Sequence, residues 1–255
     1  MLNDDFKSII NQFNIISNKG WIKAINGSLG AIGLTFEHEI NKDPDTDFFP
    51  DFKSLEIKCL GRYSRYPIGL FACSFDGPED NEINRLAQAY GYYDSIFTDK
   101  KILYAPLRFN QYSIIKDSFI FKLECSCDKI YLCVYDLSYN LIEKKSYILI
   151  NTIYVHFMIK LQNLVLIRAS KKIVNDVKYF RYYKISLYKL ISFENFIDLL
   201  KKDIITVNLV CRLSKSGYKI GQYSNQSLVF QIKPRSLTKL YNLIYSCENG
   251  AANVQ

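Results

Sequence analysis

The segment from residue 50 to residue 58 carries acidic and basic residues at a spacing suited to metal-dependent chemistry. It reads Pro-Asp-Phe-Lys-Ser-Leu-Glu-Ile-Lys. Alternate residues of a β-strand share a face, so Glu56 and Lys58 are predicted to point one way and Ile57 the other, into the core. Asp51 is predicted to lie on the turn before the strand, within reach of the same patch. Two converging carboxylates favour a hard cation such as Mg²⁺, for which Mn²⁺ can substitute.

This residue set predicts hydrolysis of a phosphodiester. A divalent cation polarises the phosphate and lowers the pKa of its bound water. Lys58 would add positive charge where a water loses its proton and the phosphorus gains negative charge. The alternative is a surface strand with an i, i+2 ion pair, because an acidic residue shortly before Glu-x-Lys arises often by chance. The context favours chemistry: a helix bearing Glu37 precedes the strand, and a second strand and a helix follow it.

Hydrophobic periodicity and turn residues predict a chain of alternating helices and strands. The first helix is predicted over 4–17 and the second over Ala31–Ile40, followed by a turn forced by Asp43-Pro44-Asp45. The remaining predicted helices are 79–90, 152–162, 193–202 (capped by Ser192) and 235–244. The predicted strands are Ser54–Leu60, Ile68–Phe75, 102–107, 117–124, 129–135, 145–150, Leu164–Arg168, 204–212 and 227–232, the last two bracketing a polar loop. The helix–strand–strand–helix order around residue 56 resembles that of the restriction-endonuclease-like core.

The distribution of charge favours a polyanionic partner. The formal net charge is +8; residues 1–100 hold 10 Lys/Arg and 15 Asp/Glu, whereas residues 101–255 hold 23 and 10. A basic body with a separate acidic cluster suits a protein that binds nucleic acid and a cation. Ordinary solvated surface is the alternative interpretation.

Cysteine and histidine usage narrows the class of protein. The seven Cys are an odd number and the N-terminus lacks the layout of a signal peptide, so we expect reduced thiols in a bacterial-type cytoplasm. The two His are too few for a histidine metal site or a convincing Ser/His/Asp triad. No uninterrupted apolar stretch of about 18 residues occurs, so no membrane partner is expected.

Several residue blocks, in order along the chain, resemble one enzyme family. They are Gly27-x-x-Gly30-x-Ile32-Gly33-x-Thr35-x-Glu37, Pro50-Asp51-Phe52 with Leu55-Glu56-Ile57-Lys58, Tyr90-Gly91-Tyr92-x-Asp94, Leu161-x-Asn163-Leu164-Val165-Leu166-Ile167, Tyr179-Phe180 with Tyr182, Ser192-Phe193-Glu194-Asn195-Phe196, and Phe230-x-Ile232-Lys233. Together they cover about residues 20–245. The chain resembles the MvaI/BcnI group of type II restriction endonucleases, of the PD-(D/E)xK superfamily, which are related to the mismatch-repair nickase MutH.

The resemblance implies an α/β fold with a mixed sheet flanked by helices, in a two-lobed chain with a DNA-binding cleft. A catalytic lobe is expected over about 1–110, and the remaining sheet and the DNA-recognition lobe over 111–255, packed against the first. Asp51, Glu56 and Lys58 match the family's catalytic residues, and Glu37 matches a supporting glutamate. The glycines at 27, 30 and 33 are expected to let the helix pack closely on the sheet, with phosphate contact as the alternative.

The region expected to read DNA departs from the family's pattern. The family often carries a His-Asp-His-Gly-type stretch before its last strand, and residues 217–227 contain no histidine. Lys and amide side chains can contact base edges, so base reading is assigned to the loop residues Lys219, Gln222, Asn225 and Gln226. Phosphate contacts, which hold register without specifying sequence, are assigned to Arg212, Lys215 and Arg235. A plain solvated hairpin loop is the alternative.

The functional prediction is a type II restriction endonuclease that cuts both strands of double-stranded DNA at a short specific sequence. A MutH-like nicking enzyme is the nearest alternative, and a catalytically silent DNA-binding protein is another. The resemblance further implies a monomer and a DNA methyltransferase that acts on the same site without forming a stable complex.

Overall fold

The computed structural model describes residues 3–42 and 49–248, so the predicted turn at Asp43-Pro44-Asp45 lies outside the described residues. The helices are α1 Asp4–Asn18, α2 Ala31–Glu39, α3 Glu82–Tyr90, α4 Ile150–Lys160, α5 Phe193–Lys201 and α6 Leu237–Leu240. The strands are β1 Ile22–Lys23, β2 Glu56–Gly61, β3 Ile68–Cys73, β4 Tyr92–Tyr93, β5 Lys101–Leu107, β6 Ser113–Ile115, β7 Phe119–Ser126, β8 Lys129–Tyr135, β9 Leu141–Glu143, β10 Tyr147–Leu149, β11 Asn163–Val174, β12 Val177–Leu190, β13 Ile205–Leu213, β14 Tyr223–Ile232 and β15 Tyr241–Glu248.

The chain divides into two compact units built from interleaved segments. Unit 1 comprises Met1–Tyr66, Phe157–Ile191 and Leu237–Gln255, and unit 2 comprises Pro67–His156 and Ser192–Ser236. The division differs from the boundary expected near residue 110, which lies inside unit 2. The reason is that the chain crosses from one unit to the other four times, so no single cut separates them.

Unit 1 is organised around a mixed five-stranded sheet. Its strand order is β1-β12-β11-β2, and β15 also pairs with β12. The pairing of β2 with β11 is parallel, whereas β11, β1 and β15 all pair with β12 in the antiparallel sense. The strand predicted to carry the active site, β2, is therefore fixed on one side by the long strand β11.

Helix α1 closes the core of unit 1. Phe6, Ile9, Phe13 and Ile16 recur at the helical period and are buried against apolar residues of the sheet. The helix begins at Asn3, whose Oδ1 accepts a hydrogen bond of 2.9 Å from the backbone N–H of Phe6. Leu55 and Ile57 belong to the same cluster, so the core anchors the segment that precedes and enters β2.

Unit 2 contains two further five-stranded sheets. One has the order β3-β14-β13-β5-β4, and the other has the order β10-β8-β7-β6 with β9 added to β8. All pairings within these two sheets are antiparallel. The expectation of a mixed α/β fold with sheets flanked by helices is confirmed.

Two predictions about secondary structure near the C-terminus are corrected. The helix expected over 235–244 is limited to a 3₁₀ turn at Pro234–Ser236 and the short α6, after which the chain forms β15. The strand predicted at Leu164–Arg168 is longer and forms a hairpin with β12, which was not predicted as a strand. None of the helices in the described ranges has both the length and the apolar character needed to cross a membrane.

Candidate active site

Strand β2 places Glu56 and Lys58 on one face. The Lys58 Nζ lies 2.5 Å from Glu56 Oε1, while Ile57 points into the core between them. Parallel pairing with β11 sets Glu56 opposite Leu164 and Lys58 opposite Leu166. The structure therefore has the alternation that the sequence predicts, and a well-anchored strand fixes the spacing of the acid–base pair.

A tight turn brings Asp51 to the start of the same strand. Phe52 and Leu55 exchange two backbone hydrogen bonds of 3.0 and 2.8 Å, and Lys53 within the turn has a φ of 52°. Asp51 Oδ2 then accepts a hydrogen bond of 2.9 Å from the backbone N–H of Ile57. Because Ile57 lies between Glu56 and Lys58, this bond ties Asp51 to the part of the strand that carries the other two side chains.

Helix α2 and the residues just after it contribute two further charged side chains. Glu37 lies in its last turns, and its carboxylate favours the charged form of Lys58. Lys42, just beyond the helix, forms an ion pair of 3.0 Å with Asp51 Oδ1. Sequence reasoning identified Glu37 but missed Lys42, because nothing in the spacing of the catalytic motif points to a lysine nine residues before Asp51.

Burial and neighbouring charges set the ionisation of the pair on β2. Burial raises the pKa of Glu56, with a smaller upward contribution from the charge of Asp51, while Lys58 opposes the shift. Burial acts to lower the pKa of Lys58, but the carboxylates of Glu56, Asp51 and Glu37 outweigh it and the net pKa is raised. Lys58 is therefore held as a cation, and Glu56 lies where a nearby positive charge would favour its ionised form.

The carboxylates present fit a divalent cation. Glu56 is only 3% exposed, and its Oε2 atom has no hydrogen-bond partner among the described residues. A buried oxygen without a partner is costly, and a cation would satisfy it. The described ranges contain no group of three or more His, Cys, Asp or Glu arranged to hold a metal. A site of this kind would therefore complete its coordination with water and phosphate oxygens, as Mg²⁺ does.

The glycines before α2 do not have the packing role expected of them. Gly27 and Gly30 are exposed. A Cβ added at Gly27 would have no atom within 4 Å, and a Cβ added at Gly30 would meet only Ser28 Oγ, at 4.0 Å. At Gly33 the nearest atom would be Glu37 Oε1 at 3.6 Å, an ordinary contact. Close approach of helix to sheet therefore does not explain Gly27 or Gly30.

Some of the residues predicted to bind DNA lie together in unit 2. Arg212 is exposed on β13, and its guanidinium lies 4.7 Å from the centre of the Tyr104 ring. Arg212, Lys215 and Tyr104 line a cavity of about 480 Å³, together with Tyr92, Asp94, Ile102 and Leu213. Lys219 and Gln222 are exposed in the loop that follows β13. Sequence reasoning missed the two tyrosines and Asp94, although Tyr92 and Asp94 belong to one of the resembled blocks.

Three other predicted DNA-binding residues are placed differently. Asn225 and Gln226 belong to β14 and pair with Arg212 and Cys211, so they are not loop residues. Gln226 is half-buried opposite the buried Cys211. Arg235 follows the far end of β14; at about 3.3 Å per residue, this end lies roughly 30 Å from the loop. Arg235 is therefore not close to Arg212 and Lys215 as the sequence order suggested.

Comparison with known proteins identifies the family. The profile of the MvaI/BcnI restriction endonuclease family matches residues 10–241. A complex of restriction endonuclease MvaI with its cognate DNA substrate is similar with a TM-score of 0.88 and 21% identity, covering 97% of this chain and 99% of that chain. MvaI in the absence of DNA has a TM-score of 0.59 and 18% identity, covering 96% and 98%. No curated protein matches the chain in sequence.

The two kinds of match establish different things. At 21% and 18% identity the structural likeness supports the fold, which agrees with the restriction-endonuclease-like core expected from the order of helices and strands. The family profile covers nearly the whole described chain and includes Glu37, Asp51, Glu56 and Lys58. The chain therefore belongs to the MvaI/BcnI restriction endonuclease family and is a site-specific deoxyribonuclease.

Proposed function

We propose that this enzyme hydrolyses phosphodiester bonds of double-stranded DNA at a short specific sequence in a reaction that requires Mg²⁺. The observation that carries the proposal is the convergence of Asp51, Glu56 and Lys58, with a buried Glu56 oxygen that lacks a partner among the described residues. A buried carboxylate oxygen without a partner costs stability, so a purely structural ion pair with Lys58 does not account for it, whereas a bound cation would.

Each of the four residues has a distinct proposed role. Asp51 and Glu56 would hold the cation, and Mn²⁺ would be accepted in place of Mg²⁺. A bound divalent cation supplies electrophilic stabilisation of the phosphate and acidifies water. Lys58, held as a cation and partly exposed, would stabilise the negative charge that develops on the phosphate oxygens. Glu37 would support the site by keeping the Lys58 ammonium charged.

We propose that unit 1 performs the chemistry and that unit 2 reads the DNA sequence. All four active-site residues belong to unit 1, whereas Arg212, Lys215, Lys219 and Gln222 belong to unit 2. The exposed Lys219 and Gln222 are assigned to base contacts, and Arg212 and Lys215 to phosphate contacts. Asn225 and Gln226, which lie on β14 next to the loop, are also assigned to base contacts, and Arg235, beyond the far end of β14, to a phosphate contact.

We further propose that one chain acts as a monomer in a bacterial-type cytoplasm and cuts both strands in turn. Cellular DNA would then need protection, which motivates a methyltransferase that modifies the same sequence without a stable complex. A MutH-like enzyme would have the same residues but would stop after the first cut. The intact catalytic set argues against a silent DNA-binding protein.

Digestion of a fully sequenced phage genome tests the proposal. In Mg²⁺, we expect discrete fragments whose sequenced ends all lie at one short sequence, with both strands cut. Fragment ends scattered at random would contradict site specificity. Ends found on one strand only would favour the nicking alternative, and an absence of cleavage on several unmodified genomes would favour a silent DNA-binding protein.

A further inference from the structure

Lys42 makes a partly buried ion pair with a residue of the candidate metal site. Its Nζ lies 3.0 Å from Asp51 Oδ1, and the two side chains are only 15% and 19% exposed. The other Asp51 oxygen accepts the backbone N–H of Ile57. Both Asp51 oxygens therefore have a protein partner, whereas Glu56 Oε2 has none among the described residues.

The end of helix α2 fixes the position of Lys42. The backbone N–H of Lys42 donates to Glu37 O at 2.9 Å, and that of Asn41 donates to His38 O at 3.0 Å. Asn41 has a φ of 58°, in the left-handed region that asparagine tolerates. These bonds form a Schellman motif. The same helix end thus fixes the backbone of both Glu37 and Lys42, and the Lys42 side chain is only 15% exposed where it meets Asp51.

The pair alters the charge that a ligand meets at the site. The carboxylates of Asp51, Glu56 and Glu37 all act electrostatically on Lys58, and Lys160 also acts on Glu56. Lys42 adds a positive charge at Asp51 Oδ1. Its removal would leave the site more negative by one charge, which favours a cation and disfavours a DNA phosphate.

We propose that Lys42 is a positioning residue that acts through Asp51, balancing its charge while no metal is bound. The proposal rests on the proposed function, because it requires Asp51 to be a metal ligand. Lys42 changes the affinity for the metal and the affinity for DNA in opposite directions. It weakens binding of the metal by competing for Asp51, and it strengthens metal-free binding of DNA by offsetting repulsion between Asp51 and phosphate.

The opposite signs separate this role from a merely structural one. A side chain that only stabilised the fold would weaken both metal and DNA binding when removed, whereas charge balancing predicts one gain and one loss. The natural comparison is Lys19, which forms an ion pair of 2.6 Å with Glu39 on the same helix α2 but has no contact with the three residues of the catalytic motif among its described interactions.

Two binding measurements on the full chain test the proposal. Binding of Mn²⁺ without DNA is followed by the loss of the free-ion signal in electron paramagnetic resonance, and binding of a random-sequence duplex is measured in EDTA. Lys42→Met is expected to bind Mn²⁺ about tenfold more tightly and the duplex about tenfold more weakly, as expected for one partly screened charge. Lys42→Arg and Lys19→Met are expected to resemble the wild type in both measurements.

Other results would overturn the proposal. It is wrong if Lys42→Met leaves both affinities unchanged, or if both weaken together. Lys42→Gln serves as a second variant; failure of both variants to fold, seen by circular dichroism, would make the pair a requirement for folding and would also overturn it. If the Asp51→Asn variant binds Mn²⁺ as tightly as the wild type, the proposed metal site itself is contradicted.

Discussion

At the scale of single residues, burial determines what Glu56 can do. The side chain is nearly inaccessible, one oxygen accepts from Lys58, and the other has no partner within the described ranges. Burial raises the pKa of Glu56, so while no divalent metal ion is bound the carboxylate loses part of its preference for the ionised state. A bound divalent ion would reverse that balance, since it is the largest local charge in such a site.

Substitution of the proposed catalytic residues tests their roles one at a time. We expect Asp51→Asn, Glu56→Gln and Lys58→Met each to reduce the cleavage rate by at least about 10²–10³-fold, the loss typical of removing one electrostatic contact to a transition state. The asparagine can still accept the hydrogen bond from the backbone N–H of Ile57, so the fold should remain. Circular dichroism and single-turnover cleavage measure the two effects.

Lys7→Met is the matched control for these variants, because Lys7 is an exposed lysine that pairs with Asp4 on α1. It should cleave like the wild type. Near-normal cleavage by Asp51→Asn would remove Asp51 from the active site. Asp51→Asn and Glu56→Gln, which each lose a carboxylate, should bind DNA more tightly in EDTA, because a repulsion towards phosphate has been removed.

The geometry of the candidate catalytic motif could be predicted from sequence because it is local. Alternation along one strand places Glu56 with Lys58, and a short turn returns Asp51 to them. Lys42 could not be predicted in this way. Its position depends on the left-handed conformation of Asn41 at the end of α2 and on how α2 packs against the sheet, which are properties of the folded unit.

At the scale of elements, the edge of the unit 1 sheet shows where sequence patterns fail. Leu237, Leu240 and Ile244 recur at a helical spacing, yet the chain from Tyr241 onward forms a strand. Most side chains of β15 are exposed, and only Tyr245 and Cys247 near its end alternate with exposed neighbours, so the strand pattern is short. Its backbone pairs with β12 along almost its whole length. Such pairing depends on a partner more than 50 residues away and overrides local preference.

A buried ionic network in unit 2 is expected to contribute strongly to stability. Arg85 forms ion pairs of 2.5 Å with Glu82 and Glu143, and Ser146 donates a short hydrogen bond to Glu82. The Glu82 side chain is 1% exposed. Arg85→Met should lower the free energy of unfolding by about 3–5 kcal/mol, because it leaves a buried carboxylate without its cation. Urea denaturation of the whole chain measures the loss.

Lys202→Met is the comparison for the network, since Lys202 pairs with Asp198 at the surface and should cost about 1 kcal/mol or less. Burial tends to raise the pKa of Glu143, but hydrogen bonds from Arg85 and Tyr90 outweigh it and the net pKa is lowered. The contribution of Glu143 is therefore present at neutral pH and is lost as the pH falls through its folded-state pKa. Equal stability of the Arg85 and Lys202 variants would contradict this account.

The loop after β13 provides a test of sequence reading. Alanine at Lys219 or Gln222 should cost roughly 1–3 kcal/mol of discrimination and relax specificity at one base pair. Arg212→Ala should instead weaken binding to all sequences and reduce the slope of log affinity against log salt by about 0.9. Binding to cognate and mutated duplexes across a salt series measures both effects.

Arg235→Ala is an informative comparison, because Arg235 lies beyond the opposite end of β14 from this loop. A loss of salt dependence equal to that of Arg212→Ala would show that the phosphate-contacting surface extends along the whole strand. Unchanged specificity and unchanged affinity in a Lys219→Ala/Gln222→Ala double variant would show that the loop does not read DNA.

At the scale of the whole molecule, composition indicated the kind of partner but could not indicate how the chain divides. A basic C-terminal part correctly suggested nucleic acid, and the family match supports DNA. The units, however, are assembled from five separate segments. Strand pairing between distant segments, such as β2 with β11, determines the division. Charge counted along the sequence contains no information on such pairing.

One chain per duplex is the expected stoichiometry. A monomer with one active site must nick one strand before it cuts the other, so nicked circles should accumulate and then convert to linear plasmid. Sedimentation on a cognate duplex should give one chain per site. Two chains per site, or linear product without a nicked intermediate, would contradict the monomer proposal.

The most direct test of the central claim is a time course of supercoiled plasmid cleavage by wild type and Asp51→Asn, in Mg²⁺, in Ca²⁺ and in excess EDTA. We predict linear product from the wild type in Mg²⁺ only, with Ca²⁺ supporting DNA binding without turnover and Asp51→Asn inactive throughout. Full wild-type activity in EDTA, or linearisation by Asp51→Asn in Mg²⁺, would contradict a metal-dependent site built on Asp51, Glu56 and Lys58.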